Sequence, residues 1–126
     1  MVRFQIIGET PSKKNSKIIT RSGKIIPSKQ HSKWHTDALV QLYAQLSRIG
    51  FKQPIESPVD VYIHFYHGNM IRRDSDNQAS SIMDLLQDAG VLLDDRWQIV
   101  RLLSITNHYE KDNARCTIQI TAHEGD

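Results

Sequence analysis

Apolar and polar residues alternate in several short stretches of the chain, a pattern typical of strands with one buried face. The clearest alternation covers residues 59–67 and ends near Gly68. Two segments with paired isoleucines flank Arg21-Ser-Gly and predict a hairpin over residues 17–27. Beside the hairpin, we predict strands over residues 2–7, 59–67, 98–109 and 115–122, the last two separated by a turn at residues 111–113.

A first longer stretch carries apolar residues at the spacing of an amphipathic helix. This helix is predicted to begin at a cap formed by Ser28 or Ser32 and to run to about Ile49, because Gly50 then stops it. Its expected buried stripe consists of Trp34, Ala38, Leu39, Leu42, Tyr43 and Leu46.

A second helix is predicted to be capped by Asn77 and to run to about Ala89, where Gly90 stops it. Its expected inward residues are Ala79, Ile82, Met83 and Leu86. Its expected outward residues are Ser80, Ser81, Asp84, Gln87 and Asp88.

The order β-(hairpin)-α-β-α-β-β predicts an α+β fold, with two helices packed on one mixed, largely antiparallel sheet. A chain of 126 residues is about one domain long, so we expect one domain over residues 1–126. No apolar run reaches the roughly 20 residues that span a membrane, and the first residues do not resemble a signal peptide. The single cysteine, Cys116, excludes an internal disulfide and suits a strand core in a cytoplasmic protein.

The overall charge of +2 conceals two segments of opposite sign. Residues 1–36 contain eight lysines and arginines and one glutamate, whereas residues 74–95 contain six aspartates and no basic residue. A basic segment joined to a dense group of carboxylates suits a protein that holds a polyanion and cuts it with a metal ion.

Residues 72–77, Arg-Arg-Asp-Ser-Asp-Asn, carry the most informative carboxylates. If the segment is extended, Asp74 and Asp76 project to the same face, and Asp94-Asp95 can return beside them after the second helix. Oxygen ligands of this kind favour magnesium or manganese over zinc. Taken one at a time, the aspartate pairs also fit an ordinary turn or helix cap and a solvated loop, so the residues alone leave both interpretations open.

Residues 72–77, the helical Asp84-Leu-Leu and then Ala89-Gly-Val-Leu-Leu-Asp-Asp together resemble the signature of RusA-type Holliday junction resolvases. The loop at residues 11–16 also stands where that family carries a Pro-Ser-Asn-type loop. The resemblance implies a homodimeric, magnesium-dependent endodeoxyribonuclease that nicks opposing strands of a four-way DNA junction. Such enzymes are commonly encoded by phages and prophages and act in DNA recombination and repair in the bacterial cytoplasm.

Carried over residue by residue, the resemblance implies that Asp74, Asp76 and Asp95 are catalytic and bind magnesium, with manganese as the alternative ion. Asp94 matches the adjacent acidic position and is expected to be a further metal ligand. The residues expected to contact DNA are Arg72, Arg73, Lys13, Lys14, Asn15, Lys17 and Arg96.

Position 80 departs from the family pattern. The family usually has a lysine four residues after the second aspartate, where this chain has Ser80. A basic residue from elsewhere, such as Arg73, Arg96 or one in residues 13–17, can take over the role, as can a partner subunit. The alternative function is that of a branched-DNA-binding protein whose cleavage is weak or lost.

Overall fold

The computed structural model describes residues 1–12 and 17–125, and it confirms the α+β fold and the predicted order of elements. The elements are β1 (Val2–Ile7), β2 (Lys17–Ile19), β3 (Ile25–Pro27), α1 (Lys29–Ile49), β4 (Val59–His67), α2 (Ser75–Asp88), β5 (Val100–Tyr109) and β6 (Arg115–Ala122). Strands β2 and β3 pair only with each other within the described residues, as the predicted hairpin.

The other four strands form one mixed sheet in the order β1-β6-β4-β5. Strand β6 is antiparallel to both β1 and β4, whereas β5 is parallel to β4. A parallel pair requires a crossover connection, and α2 provides it between β4 and β5. The first turn of α2 therefore starts from the end of the sheet at which both of these strands finish.

Strands β5 and β6 are consecutive in the chain but lie on opposite sides of β4. Their connection crosses the end of β4, where the backbone N–H of Asp112 donates to the carbonyl of Gly68 at 3.0 Å. A Cβ atom on Gly68 would lie 3.3 Å from the backbone nitrogen of Ala114, so the crossing leaves little room for a side chain.

Helix α1 begins and ends where the sequence predicts. The Ser28 side chain accepts a hydrogen bond from the backbone N–H of His31, and Gly50 adopts a left-handed conformation with φ 67°. The prediction that Tyr43 is buried is wrong, because its side chain is 51% exposed. The side of α1 that packs on the protein instead includes Gln41 and Gln45. Their amide oxygens accept hydrogen bonds from the backbone N–H groups of Ile7 at 2.8 Å and Gln5 at 2.9 Å, on β1.

Helix α2 begins three residues earlier than predicted, with Asp74 rather than Asn77 in the capping position. Asn77 lies buried within the first turn. Ser81 was expected to face outward but is fully buried, because its hydroxyl donates to the carbonyl of Pro11 at 2.7 Å. Helix α2 thus packs on the sheet through apolar residues and on the segment after β1 through polar ones.

The apolar core lies between the sheet and the two helices and includes Cys116, as predicted. Burial raises the pKa of the Cys116 thiol to about 12, with a smaller contribution from the charge of Glu9. None of the helices described in the structure is long and apolar enough to cross a membrane.

Candidate functional site

The six aspartates of residues 74–95 are distributed along α2 and the loop that follows it. The expectation that Asp74-Ser-Asp is extended is wrong, because the helix already begins at Ser75. Successive helical residues turn by about 100°, so the side chains of Asp74 and Asp76 leave the helix start in different directions. Asp74 lines a depression with Ser12, Arg72 and Arg73, whereas Asp76 lines a different cleft.

That second cleft, the acidic cleft, lies between α2 and β5 and has a volume of about 370 Å³. It is lined by Asp76, Asp84 and Asp95, by Ser80, and by Ala79, Met83, Val100, Leu103 and Ile105. The loop after α2 therefore returns Asp95 to the cleft that Asp76 also lines. Asp84 is a third carboxylate there, which the sequence analysis placed on the outward face without a role.

Carboxylate oxygens are the donors that magnesium and manganese prefer, so the chemistry of this cleft fits such an ion. Within residues 1–12 and 17–125, however, no three His, Cys, Asp or Glu side chains are grouped closely enough to hold one ion. The structure brings Asp76 and Asp95 to one cleft, and it does not bring Asp74 into it.

Asp94 is turned toward the backbone of its own loop. Its Oδ1 accepts the N–H groups of Asp95 at 2.6 Å and of Arg96 at 3.2 Å. These hydrogen bonds, with a smaller contribution from the Arg96 charge, hold the pKa of the Asp94 carboxyl below its usual value. In the described structure Asp94 therefore shapes the turn that presents Asp95, and its role as a metal ligand stays a prediction.

The two arginines before α2 differ in accessibility. The side chain of Arg72 is 94% exposed, with its Nε 4.0 Å from Asp74 Oδ1, whereas that of Arg73 is only 18% exposed. The guanidinium of Arg73 donates to the carbonyl of Ile71 at 3.1 Å and to Asn69 Oδ1 at 2.9 Å. Arg72 is therefore presented to solvent, while Arg73 is held within the protein.

Both arginines line a further cleft of about 420 Å³, the arginine cleft, at the ends of β4 and β5. Its other walls are residues 69–71, Ser75 and residues from the ends of the two strands. Arg96, another predicted DNA contact, is half-exposed beside Asp94. An exposed arginine next to a helix start suits phosphate binding, because both supply positive charge.

Lys13, Lys14 and Asn15 lie outside the described residues, and the side chain of Lys17 is not described either. Ser12, which precedes that stretch, lines the same depression as Asp74.

Sequence reasoning missed three residues behind the start of α2, namely Glu9, His67 and Asn107. His67 Nδ1 lies 3.0 Å from Glu9 Oε2, and His67 Nε2 lies 2.8 Å from Asn107 Oδ1. Glu9 could have been noticed because it is the one acidic residue among the first 36. Nothing in the local pattern singles out His67 or Asn107, because their neighbours are far away in the sequence.

Comparison with protein families matches the chain to the model described as Endodeoxyribonuclease RusA over residues 8–121. The match covers nearly the whole chain, including both clefts and the segment around α2. A search of curated proteins finds no match to the chain.

Proposed function

Because the chain belongs to the RusA endodeoxyribonuclease family, we propose that it is a magnesium-dependent enzyme that resolves four-way DNA junctions by paired nicks. Family membership itself supports a nuclease that acts on branched DNA. The magnesium ion, the paired nicking and a homodimer go beyond family membership and are the features that we propose. The observation that supports a metal ion is the acidic cleft, which both Asp76 and Asp95 line beside the first turns of α2.

Cleavage of a phosphodiester requires positive charge, because the scissile group is already an anion. When bound, magnesium would supply Lewis-acid charge at the phosphate. Asp76 and Asp95 would hold the ion, with Asp74 on the neighbouring side of the helix start. Asp84 lines the same cleft and adds to the negative potential that attracts a cation.

Binding of the substrate would fall to the basic residues around the clefts. Arg72 is open to solvent next to Asp74 and can bind a phosphate beside the catalytic carboxylates. The net charge of the first 36 residues, eight basic against one acidic, would attract the rest of the DNA backbone. Because paired nicks on opposing strands need two active sites, we further propose a two-fold symmetric dimer with one site in each subunit.

The second candidate function is binding of branched DNA with little or no cleavage. It is favoured by Ser80, which lines the acidic cleft at the position where the family has a lysine. The described residues that line this cleft include no lysine or arginine. The positive charge at the phosphate would then have to come from Arg72, from Arg96 or from another subunit.

The test is incubation of a synthetic four-way junction with the protein and magnesium, followed by a denaturing gel. The proposal expects symmetric nicks in opposing strands, none with chelator, and none with Asp76→Asn. A linear duplex of the same sequence is the substrate control. Tight junction binding without nicks in either magnesium or manganese would favour the binding protein, and equal cutting of linear duplex would contradict junction selectivity.

A further inference from the structure

A chain of hydrogen bonds lies behind the first turn of α2, at the end of the sheet where β4 and β5 finish. Glu9, just after β1, is at its centre, and its side chain is 24% exposed. Glu9 Oε2 lies 3.0 Å from His67 Nδ1 and accepts from Gln78 Nε2 at 3.0 Å. Glu9 Oε1 lies 3.4 Å from Arg73 NH1. One carboxylate thus contacts the end of β4, the loop before α2 and the helix itself.

The same chain of bonds continues to the first residue of α2. His67 Nε2 lies 2.8 Å from Asn107 Oδ1 on β5, and Asn107 Nδ2 donates to Ser75 Oγ at 2.9 Å. Gln78 is fully buried and also donates to the carbonyl of Thr10 at 2.6 Å. Side chains at positions 73, 75 and 78 are therefore all fixed by this network.

The two carboxylates at the helix start lie between these fixed positions. Asp74 follows Arg73 and precedes Ser75, and both Asp74 and Asp76 are exposed. Asp74 occupies the capping position, yet its side chain makes no capping hydrogen bond among the described residues. An aspartate cap normally stabilises the helix start through that bond. Here the network holds the residues around the first turn, and the Asp74 carboxylate faces the exposed Arg72 at 4.0 Å instead of the helix backbone.

We propose that Glu9, His67 and Asn107 are positioning residues, which orient the carboxylates of Asp74 and Asp76 through Arg73, Ser75 and Gln78. This inference rests on the proposed function, because it assigns the network to the same metal-binding carboxylates. Removal of groups that orient metal-binding side chains lowers metal affinity or activity by roughly 10- to 100-fold. The middle of α2 is held separately by buried apolar residues, so loss of the network is expected to misalign the helix start without unfolding the protein.

Asn107→Ala is the most informative variant, because Asn107 is exposed and its truncation removes no core contact. Thr106→Ala is the matched control, since Thr106 is the neighbouring residue of β5 and its side chain lies on the opposite face of the sheet. Asn107→Asp is the conservative variant, because its two oxygens can accept from His67 and from the Ser75 hydroxyl. All are made in the full chain and compared in kcat, KM for the junction, half-saturating magnesium and melting temperature.

We expect Asn107→Ala to lower kcat, or to raise half-saturating magnesium, by roughly 10- to 100-fold. KM for the junction and the melting temperature should stay close to those of Thr106→Ala, and Asn107→Asp should recover most of the loss. The inference is overturned if Asn107→Ala behaves like Thr106→Ala. It is also overturned if only KM rises, which would indicate a DNA contact, or if activity falls only in proportion to a lost folded fraction.

Calorimetric titration with magnesium or manganese separates this inference from the proposed function. If wild type binds metal but nicks no junction, the proposed function fails, and a roughly 10- to 100-fold weaker metal affinity of Asn107→Ala still supports the positioning network. If, in that case, wild type and Asn107→Ala bind the metal with equal affinity, the positioning inference is overturned. If wild type neither nicks nor binds metal, both proposals fail.

Discussion

Restoring a lysine at position 80 tests directly whether the acidic cleft cuts DNA. Ser80 lies on α2 four residues after Asp76 and four residues before Asp84, and all three line the cleft. Its side chain is exposed, and its hydroxyl only donates to the carbonyl of Asp76 at 3.0 Å. Ser80→Lys therefore removes no core contact and places a positive charge between two carboxylates.

The expected change in stability follows from this spacing. Opposite charges four residues apart on a helix contribute about 0.2–0.5 kcal/mol per pair, so two pairs should add about 0.4–1 kcal/mol at low salt. For a domain of this size, that corresponds to a rise in melting temperature of about 1.5–4 °C. The rise should shrink at high salt, because exposed charges are screened.

The expected change in activity is larger. Removal of one preorganised donor from an enzyme site typically costs 10²- to 10³-fold in kcat, so we expect the added lysine to raise junction cleavage at least about tenfold. Half-saturating magnesium should rise about twofold, because the lysine competes for the same carboxylates. Single-turnover nicking of a four-way junction measures the rate, and a magnesium titration of that rate measures the competition.

Ser80→Gln is the matched control, because glutamine is similar in size and helix propensity to lysine but carries no charge. Equal cleavage by the lysine and glutamine variants would refute the reasoning that position 80 lacks a needed charge. If, in addition, Arg72→Ala or Arg96→Ala abolishes cleavage, a relocated arginine already fills the role. If no variant nicks and all bind the junction, the protein is a binding protein.

Four further predictions concern the metal, the DNA and, in the last two, Cys116 in the core. Magnesium or manganese should raise the melting temperature of wild type, because it binds only the folded state, and Asp76→Asn should lose most of the rise; identical responses would contradict the site. Replacing Lys13, Lys14 and Lys17 together by alanine should flatten the slope of log affinity against log salt by up to about 2.7 units, and an unchanged slope would exclude phosphate contacts there. Cys116, whose pKa is raised from 9.0 to about 12, should resist iodoacetamide at pH 8 until the protein is unfolded. The free energy of unfolding should decrease as pH rises from 9.0 toward about 12, because only the unfolded thiol ionises there; urea titrations at pH 8 and pH 10 measure this.

The amino-acid sequence alone determined the helices, the strands and their order. Strand alternation and helix spacing are local properties, because each depends on residues only a few positions apart. The caps at Ser28 and Gly50 were predictable for the same reason. The family also followed from a contiguous stretch, residues 72–95, and the match over residues 8–121 confirms it.

Sequence reasoning failed where a polar residue is buried against a distant segment. Ser81 was predicted to face outward, but its hydroxyl donates to the carbonyl of Pro11, which lies 70 positions earlier in the chain. Tyr43 appeared to belong to the buried stripe of α1, but Gln41 and Gln45 turn that stripe toward the edge of β1. A buried polar group must be hydrogen-bonded, and the local pattern does not show which distant partner will satisfy it.

Only the tertiary structure decided what surrounds the candidate carboxylates. The parallel pairing of β5 with β4 brings Asn107 to His67, 40 positions away, and to Ser75, 32 positions away. The same pairing forms the acidic cleft and adds Asp84 to its walls. Strand order and direction follow from packing of the whole core, whose contacts join residues far apart in the chain. The sequence therefore pointed to the catalytic candidates through the family resemblance, while long-range packing determined which groups surround them.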